Sequence, residues 1–159
     1  MNGNKALRIG NKAKVTLILD GENSMCSKNS NCVYVSDNSY LTITSIQGDG
    51  SSAGTLRAEG NKSGQINYAG IRGGSITVKG GTVIAKGEYE AAGIGGDARV
   101  TNNNFSISIE GGTVEADGGW GGAGIGSASR AGGNVNINIS GGTVKAVGGQ
   151  GSAGIGIGY

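Results

Sequence analysis

Histidine is absent from this 159-residue chain, and with it every Ser-His-Asp or Cys-His arrangement for nucleophilic catalysis. Two cysteines with no histidine also leave a structural zinc site short of ligands. Proline is missing, and aromatic residues make up only 4% of the chain, so no large core of ring side chains can be built. Lys and Arg number 13 against 11 acids, with both signs dispersed. A nucleic-acid groove would be more basic and more aromatic, so no nucleic-acid partner is expected. No apolar stretch approaches the roughly 20 residues of a membrane helix, which speaks against membrane insertion. Met1 to Leu7 lacks the apolar centre of a signal peptide. The abrupt start at Met1 and the stop at Tyr159, just after an inward Ile, suit a piece of a longer secreted polypeptide with its targeting signal upstream.

What the chain does have is repetition. Gly-Gly-Thr-Val recurs at Gly80 to Val83, Gly111 to Val114 and Gly141 to Val144, and Ala-Gly-Ile at Ala92 to Ile94, Ala123 to Ile125 and Ala153 to Ile155. A fixed step of about 30 residues signals one short unit stacked on copies of itself. Within a unit, Ser75 to Lys79 and Thr82 to Lys86 alternate inward and outward residues with the period of a strand. The Ala-Gly-Ile phrase supplies a third short strand, and Gly pairs turn the corners. Glycine, 35 residues in all, recurs too often for a helix of ordinary length. The expected fold is all-β: a right-handed, single-stranded parallel β-helix with three strands per coil and about five coils, on the order of 24 Å long at a rung spacing near 4.8 Å. Its narrow core of Ile, Val and Ala becomes continuous only by stacking.

The irregular first half fits the same template. Leu41/Ile43 aligns with Ile76/Val78, Leu56/Ala58 with Val83/Ala85, and Ala69/Ile71 with Ala92/Ile94. Leu17/Leu19 and Val33/Val35 read as the first and third strands of an earlier coil, with Met25 in the second. Residues 1–159 thus form one domain, with a leading segment 1–14, irregular coils 15–71 and regular repeats 72–159. The basic run Lys5, Arg8, Lys12 and Lys14 reads as part of a solvated leading segment.

Candidate functional residues sit at the corners. Three residues before the Ala of each Ala-Gly-Ile phrase stand Tyr89, Trp120 and Gln150, which places them on one corner of successive coils. Rings on a rigid wall can stack on the apolar face of a sugar, with Glu88, Glu90 and Asp117 as polar neighbours. The plainer alternative is that Trp120 only covers Gly-rich backbone. The glycine runs around Gly95 and Trp120 read as corners, because a phosphate loop needs a following helix. Acids at Glu88, Glu90, Glu110, Glu115 and Asp117 lie on an exposed surface where nothing raises a pKa, so glycoside hydrolysis is not expected. The column Thr55, Thr82, Thr113 and Thr143 is one residue wide between bulky or charged neighbours, which suits a stabilising ladder better than an ice-binding plane. Asp97, Asn102, Asn103 and Asn104 occupy an insertion whose oxygens are candidate Ca²⁺ ligands, the only cofactor considered, although amide-rich loops are also common without metal. Cys26 and Cys32 can close a loop as a disulfide, which would suit an oxidising, extracellular setting, or remain two reduced thiols.

Gly74 to Val83 and Gly122 to Gly126, with Tyr40 to Thr44 upstream, resemble the Gly-Gly-Thr-Val and Gly-Ala-Gly-Ile-Gly repeats of bacterial cell-surface β-helix proteins. The resemblance covers about Val15 to Tyr159. It implies relatives described as carbohydrate-binding domains that attach to plant polysaccharides such as cellulose or pectic acid, with calcium in the structure and a superhelix like that of polysaccharide lyases. The matching residues are corner and core positions, so no binding residue is carried over, and the basic catalytic groups of lyases have no motif here. The function expected is non-catalytic binding of polysaccharide, or adhesion, outside the cell or at its surface. The alternatives are a structural subunit that self-associates through open β-helix ends into a filament, and an extracellular polysaccharide lyase or hydrolase.

Overall fold

Alternating apolar and polar residues with glycine at each bend produce short strands that wind around a common axis. A computed structural model describes residues 5–10, 12–47, 53–63, 66–102 and 104–159. Strand β1 (Leu7–Ile9) precedes the first coil, which contains β2 (Lys14–Leu19), β3 (Glu22–Cys26) and β4 (Val33–Val35). The second coil runs through β5 (Tyr40–Ser45) and β6 (Thr55–Glu59), then a small hairpin of β7 (Lys62–Ser63) and β8 (Ile66–Asn67), then β9 (Ile71–Arg72). The third coil has β10 (Ser75–Val78), β11 (Thr82–Lys86) and β12 (Ile94–Gly95). The fourth has β13 (Phe105–Ile109), β14 (Thr113–Asp117) and β15 (Ile125–Gly126), and the fifth β16 (Val135–Ile139), β17 (Thr143–Val147) and β18 (Ile155–Gly156).

These strands stack into three parallel sheets. The first face holds β2, β5, β10, β13 and β16; the second holds β3, β6, β11, β14 and β17; the third holds β1, β4, β9, β12, β15 and β18. The chain is therefore an all-β solenoid of five three-strand coils, as the repeat spacing predicts. The described residues include no helix long and apolar enough to cross a membrane.

Register fixes the core. Val83 lies beside Val114 and Val114 beside Val144, while Ile76, Ile107 and Ile137 form an equivalent file on the first face. Ile76, Val83, Ile94, Ile107, Val114 and Ile125 are all at most 1% exposed. Burial of each such side chain contributes about 1.5–3 kcal/mol, so a coil only three strands around gains its stability from neighbours above and below. At the end of the third strand the backbone itself is close-packed. Gly126 has φ +139°, and a Cβ added there would lie 1.9 Å from the Gly156 carbonyl oxygen. Only glycine lets two rungs approach so closely with that backbone.

The first coil departs from the expected alignment. Val15 and Leu17, rather than Leu17 and Leu19, oppose Leu41 and Ile43. Val33 opposes Ile71, so the pair Val33/Val35 sits two residues further along than Ala69/Ile71. Met25 is placed as expected, beside Ala58. The leading segment is not wholly solvated: β1 pairs with β4 through Leu7, Arg8 and Ile9, and Ile9 is 2% exposed. Three of its cations lie over aromatic rings: Lys5 Nζ is 5.0 Å and the Arg8 guanidinium carbon 5.9 Å from the Tyr34 ring centroid, and Lys14 Nζ is 5.5 Å from that of Tyr40.

Candidate functional site

The corner between the second and third faces is built from glycine, so its backbones stack closely and their side chains fall into file. A Cβ on Gly119 would lie 2.4 Å from the Tyr89 carbonyl oxygen, and one on Gly149 1.8 Å from that of Gly119. This close stacking carries Tyr89, Trp120 and Gln150 on consecutive rungs. The rings of Tyr89 and Trp120 are parallel within 10°, their centroids 5.4 Å apart. Trp120 donates its indole Nε1–H to Gln150 Oε1 at 2.6 Å. Tyr159 closes the file, edge-on to Trp120 at 6.4 Å.

The result is an aromatic rib running along the rod. Trp120 does more than cover glycine backbone: one ring face is used by Tyr89, yet the side chain remains 42% exposed. Trp120, Gln150, Gly151 and Tyr159 border a cleft of about 230 Å³. Tyr159 is invisible to the repeat pattern because it follows the last Ala-Gly-Ile phrase. Its only sequence signal is that it is an aromatic residue just past the third strand of the last coil.

The expected polar neighbours separate. Glu88 is half-buried beside Tyr89. Asp117 is half-buried at the end of β14, with Lys86 and Val147 as its rung neighbours. Glu90 requires correction: it is 4% exposed and turned inward. It receives Arg99 Nε–H at 3.0 Å and Arg99 Nη2 at 3.3 Å, and Asn67 Nδ2 at 3.4 Å. A buried carboxylate has to be paired, and Arg99, held at φ +62° on the following turn, supplies the pair. Glu90 thus secures the corner instead of facing a ligand.

Asp97 is corrected for a similar reason. It is 4% exposed, and its Oδ1 accepts hydrogen bonds from Asn31 Nδ2 at 2.6 Å and the Ala69 amide at 2.8 Å. Its Oδ2 lies 3.1 Å from Arg72 Nε. Burial pushes the carboxyl up to about 6, against the opposing influence of Arg72, the Ala69 amide and Asn31. The side chain ties the first, second and third coils together. Asn102 is exposed, Asn104 Oδ1 accepts the Asn134 amide at 2.9 Å, and Asn103 lies outside the described residues. No group of three His, Cys, Asp or Glu side chains suited to a metal occurs among the described residues.

The expected disulfide is not formed. Cys26 and Cys32 are free thiols, Cys26 exposed on an outward position of β3 and Cys32 buried just before β4. The turn between them sends the two side chains to opposite sides of the wall. Cys32 donates its thiol to the Glu59 carbonyl at 2.7 Å, and burial raises its pKa above the ordinary 9.0.

A family model described as a beta helix repeat matches residues 76–98, 107–129 and 137–158. Each matched stretch begins on the first face and runs through the third, covering the rib corner on the way. Neither the curated proteins nor the solved structures give a match to this chain. Sheet topology and the threefold match agree: this is a β-helix repeat solenoid, and its three C-terminal coils carry the repeat itself.

Proposed function

We propose that this chain is a non-catalytic polysaccharide-binding rod that works outside the cell or at its surface. The observation that carries this reading is the rib of Tyr89, Trp120, Gln150 and Tyr159, with its cleft beside a half-exposed indole. A sugar's C–H face can lie against the exposed ring surface, while Gln150 and Glu88 offer partners for its hydroxyls. The rungs beneath hold the rib rigid, so binding costs little side-chain ordering. Binding without cleavage is favoured because Glu90 and Asp97 are already committed to Arg99 and Arg72. An extracellular setting follows from the class of ligand.

Retention on insoluble polysaccharides tests the reading, with Trp120→Ala as the variant. Loss of one stacking residue is expected to weaken retention about tenfold, with no release of reducing or unsaturated ends by either protein. Equal retention of the two proteins removes the rib as a site, and steady release of ends makes the protein an enzyme.

A further inference from the structure

The corner that leads into the first face holds a second, chemically different surface. A groove of about 450 Å³ is lined there by residues from four coils, among them Asn38, Tyr40, Ser75, Asn104, Ser106 and Asn136. Tyr40, Ser75, Ser106 and Asn136 occupy one outward position on four successive rungs. Lys14, one rung below, lies 5.5 Å from the Tyr40 ring centroid. The next two rungs carry only serine at this position, so Tyr40 has no bulky neighbour in the file on the side away from Lys14. Asn104 and Asn134 flank this file, and the Asn134 backbone N–H donates to Asn104 Oδ1, which holds the Asn104 side chain in place.

We infer that this groove binds a neutral, extended glycan strand lying parallel to the rod axis. The rungs repeat at about 4.8 Å, close to the length of one sugar residue in an extended chain, so four successive sugars meet Tyr40, Ser75, Ser106 and Asn136 in turn. No hydrogen-bond partner for the Ser75 and Ser106 hydroxyls or the Asn136 amide within the groove occurs among the described residues, which leaves them to bond sugar hydroxyls. Among the described residues Asp37 is the only charged one in the lining, and the nearby cation Lys14 is engaged with the Tyr40 ring at the groove's end, so the lining itself offers no cation to an acidic glycan. Tyr40, 47% exposed, provides the apolar platform at one end. The site is separate from the aromatic rib, which lies at a different corner of the coil.

The test uses soluble β-1,4-linked oligomers of glucose, mannose and xylose, two to six residues long, titrated by calorimetry into the Trp120→Ala protein so that the rib does not contribute. Affinity for at least one series is expected to rise with length and level off near about four sugars, one for each rung of the file. Adding Ser106→Tyr, which fills the groove from an outward position without entering the core, is expected to lower that affinity about tenfold. Its melting temperature should match that of the parent. An absence of binding to all three series overturns the inference, as do unchanged affinity after Ser106→Tyr and tighter binding of oligogalacturonate. Failure of the rib shows instead as equal polysaccharide retention with and without Trp120, so the two outcomes are distinguishable.

Discussion

Asp97 shows how a single buried carboxyl can govern the response of this rod to pH. Its folded pKa, about 6, stands above its ordinary 3.8, so the folded chain holds the proton more tightly than the unfolded chain does. The stability this group contributes is fully present below about pH 4 and is lost as pH rises through about 6. Between pH 4 and 7 the wild type should therefore lose melting temperature that Asp97→Asn does not lose, since carboxyls common to both proteins cancel in the difference. Parallel melting curves across that window would remove the assignment. Gly126 makes a steric prediction at the same scale. Gly126→Ala puts a Cβ against the Gly156 carbonyl at a strained φ, with an expected cost of about 3 kcal/mol. Urea unfolding measures it, and a loss below about 1 kcal/mol would mean that the corner can relax.

At the scale of the strand, equivalent residues differ in value according to what covers them. Val114 and Val144 share a position on the second face, but Val114 is completely buried between two rungs while Val144 is only half-buried. Val114→Ala should cost about 2–3 kcal/mol and Val144→Ala less than half of that. Equal costs would argue against a core that is continuous through the stack. The strands of the three C-terminal coils are legible in the sequence because each inward pair recurs with the strand period and with the same glycine corners. Beyond those coils the signal weakens for identifiable reasons. Val15, Leu17 and Leu19 alternate without a break, so two registers satisfy the pattern and only pairing with Leu41 and Ile43 decides between them. At the corners the period of two no longer applies. Glu90 and Asp97 therefore read as surface acids although both are buried, and their partners Arg99 and Arg72 come from other turns. The rib was readable because its members recur at the repeat spacing. Tyr159 and Tyr40 lie outside any repeated phrase, and Ser75, Ser106 and Asn136, although they recur at the repeat spacing, differ too little from ordinary outward strand residues to mark a groove.

At the scale of the whole molecule, the strand count constrains how copies of this chain can meet. The fifth coil leaves Ile139, Val147 and Ile155 at least 43% exposed on the last rung, and such an edge favours further stacking. Among the described residues, however, the third face has six strands and the other two have five. A second copy seated with its β2 on β16 and its β3 on β17 would place its β1 on the rung already taken by β18. Seated one rung higher, it leaves gaps on two faces. The 159-residue chain should accordingly sediment as a monomer, and removal of residues 1–10 should produce concentration-dependent association. Filaments formed by the intact chain would contradict this.

Stacking places side chains in files along the corners, and on the reading proposed above these files recognise glycans. Nitrogen-15 NMR during titration with neutral β-1,4-linked oligosaccharides would show whether they do. Shifts should concentrate on the Trp120 indole and Gln150 amide of the rib and on Ser75, Ser106 and Asn136 of the groove, leaving the remaining outward residues of β11 and β14 unchanged. A spectrum that does not respond to any of the oligosaccharides, or that responds equally over the whole surface, would contradict the account.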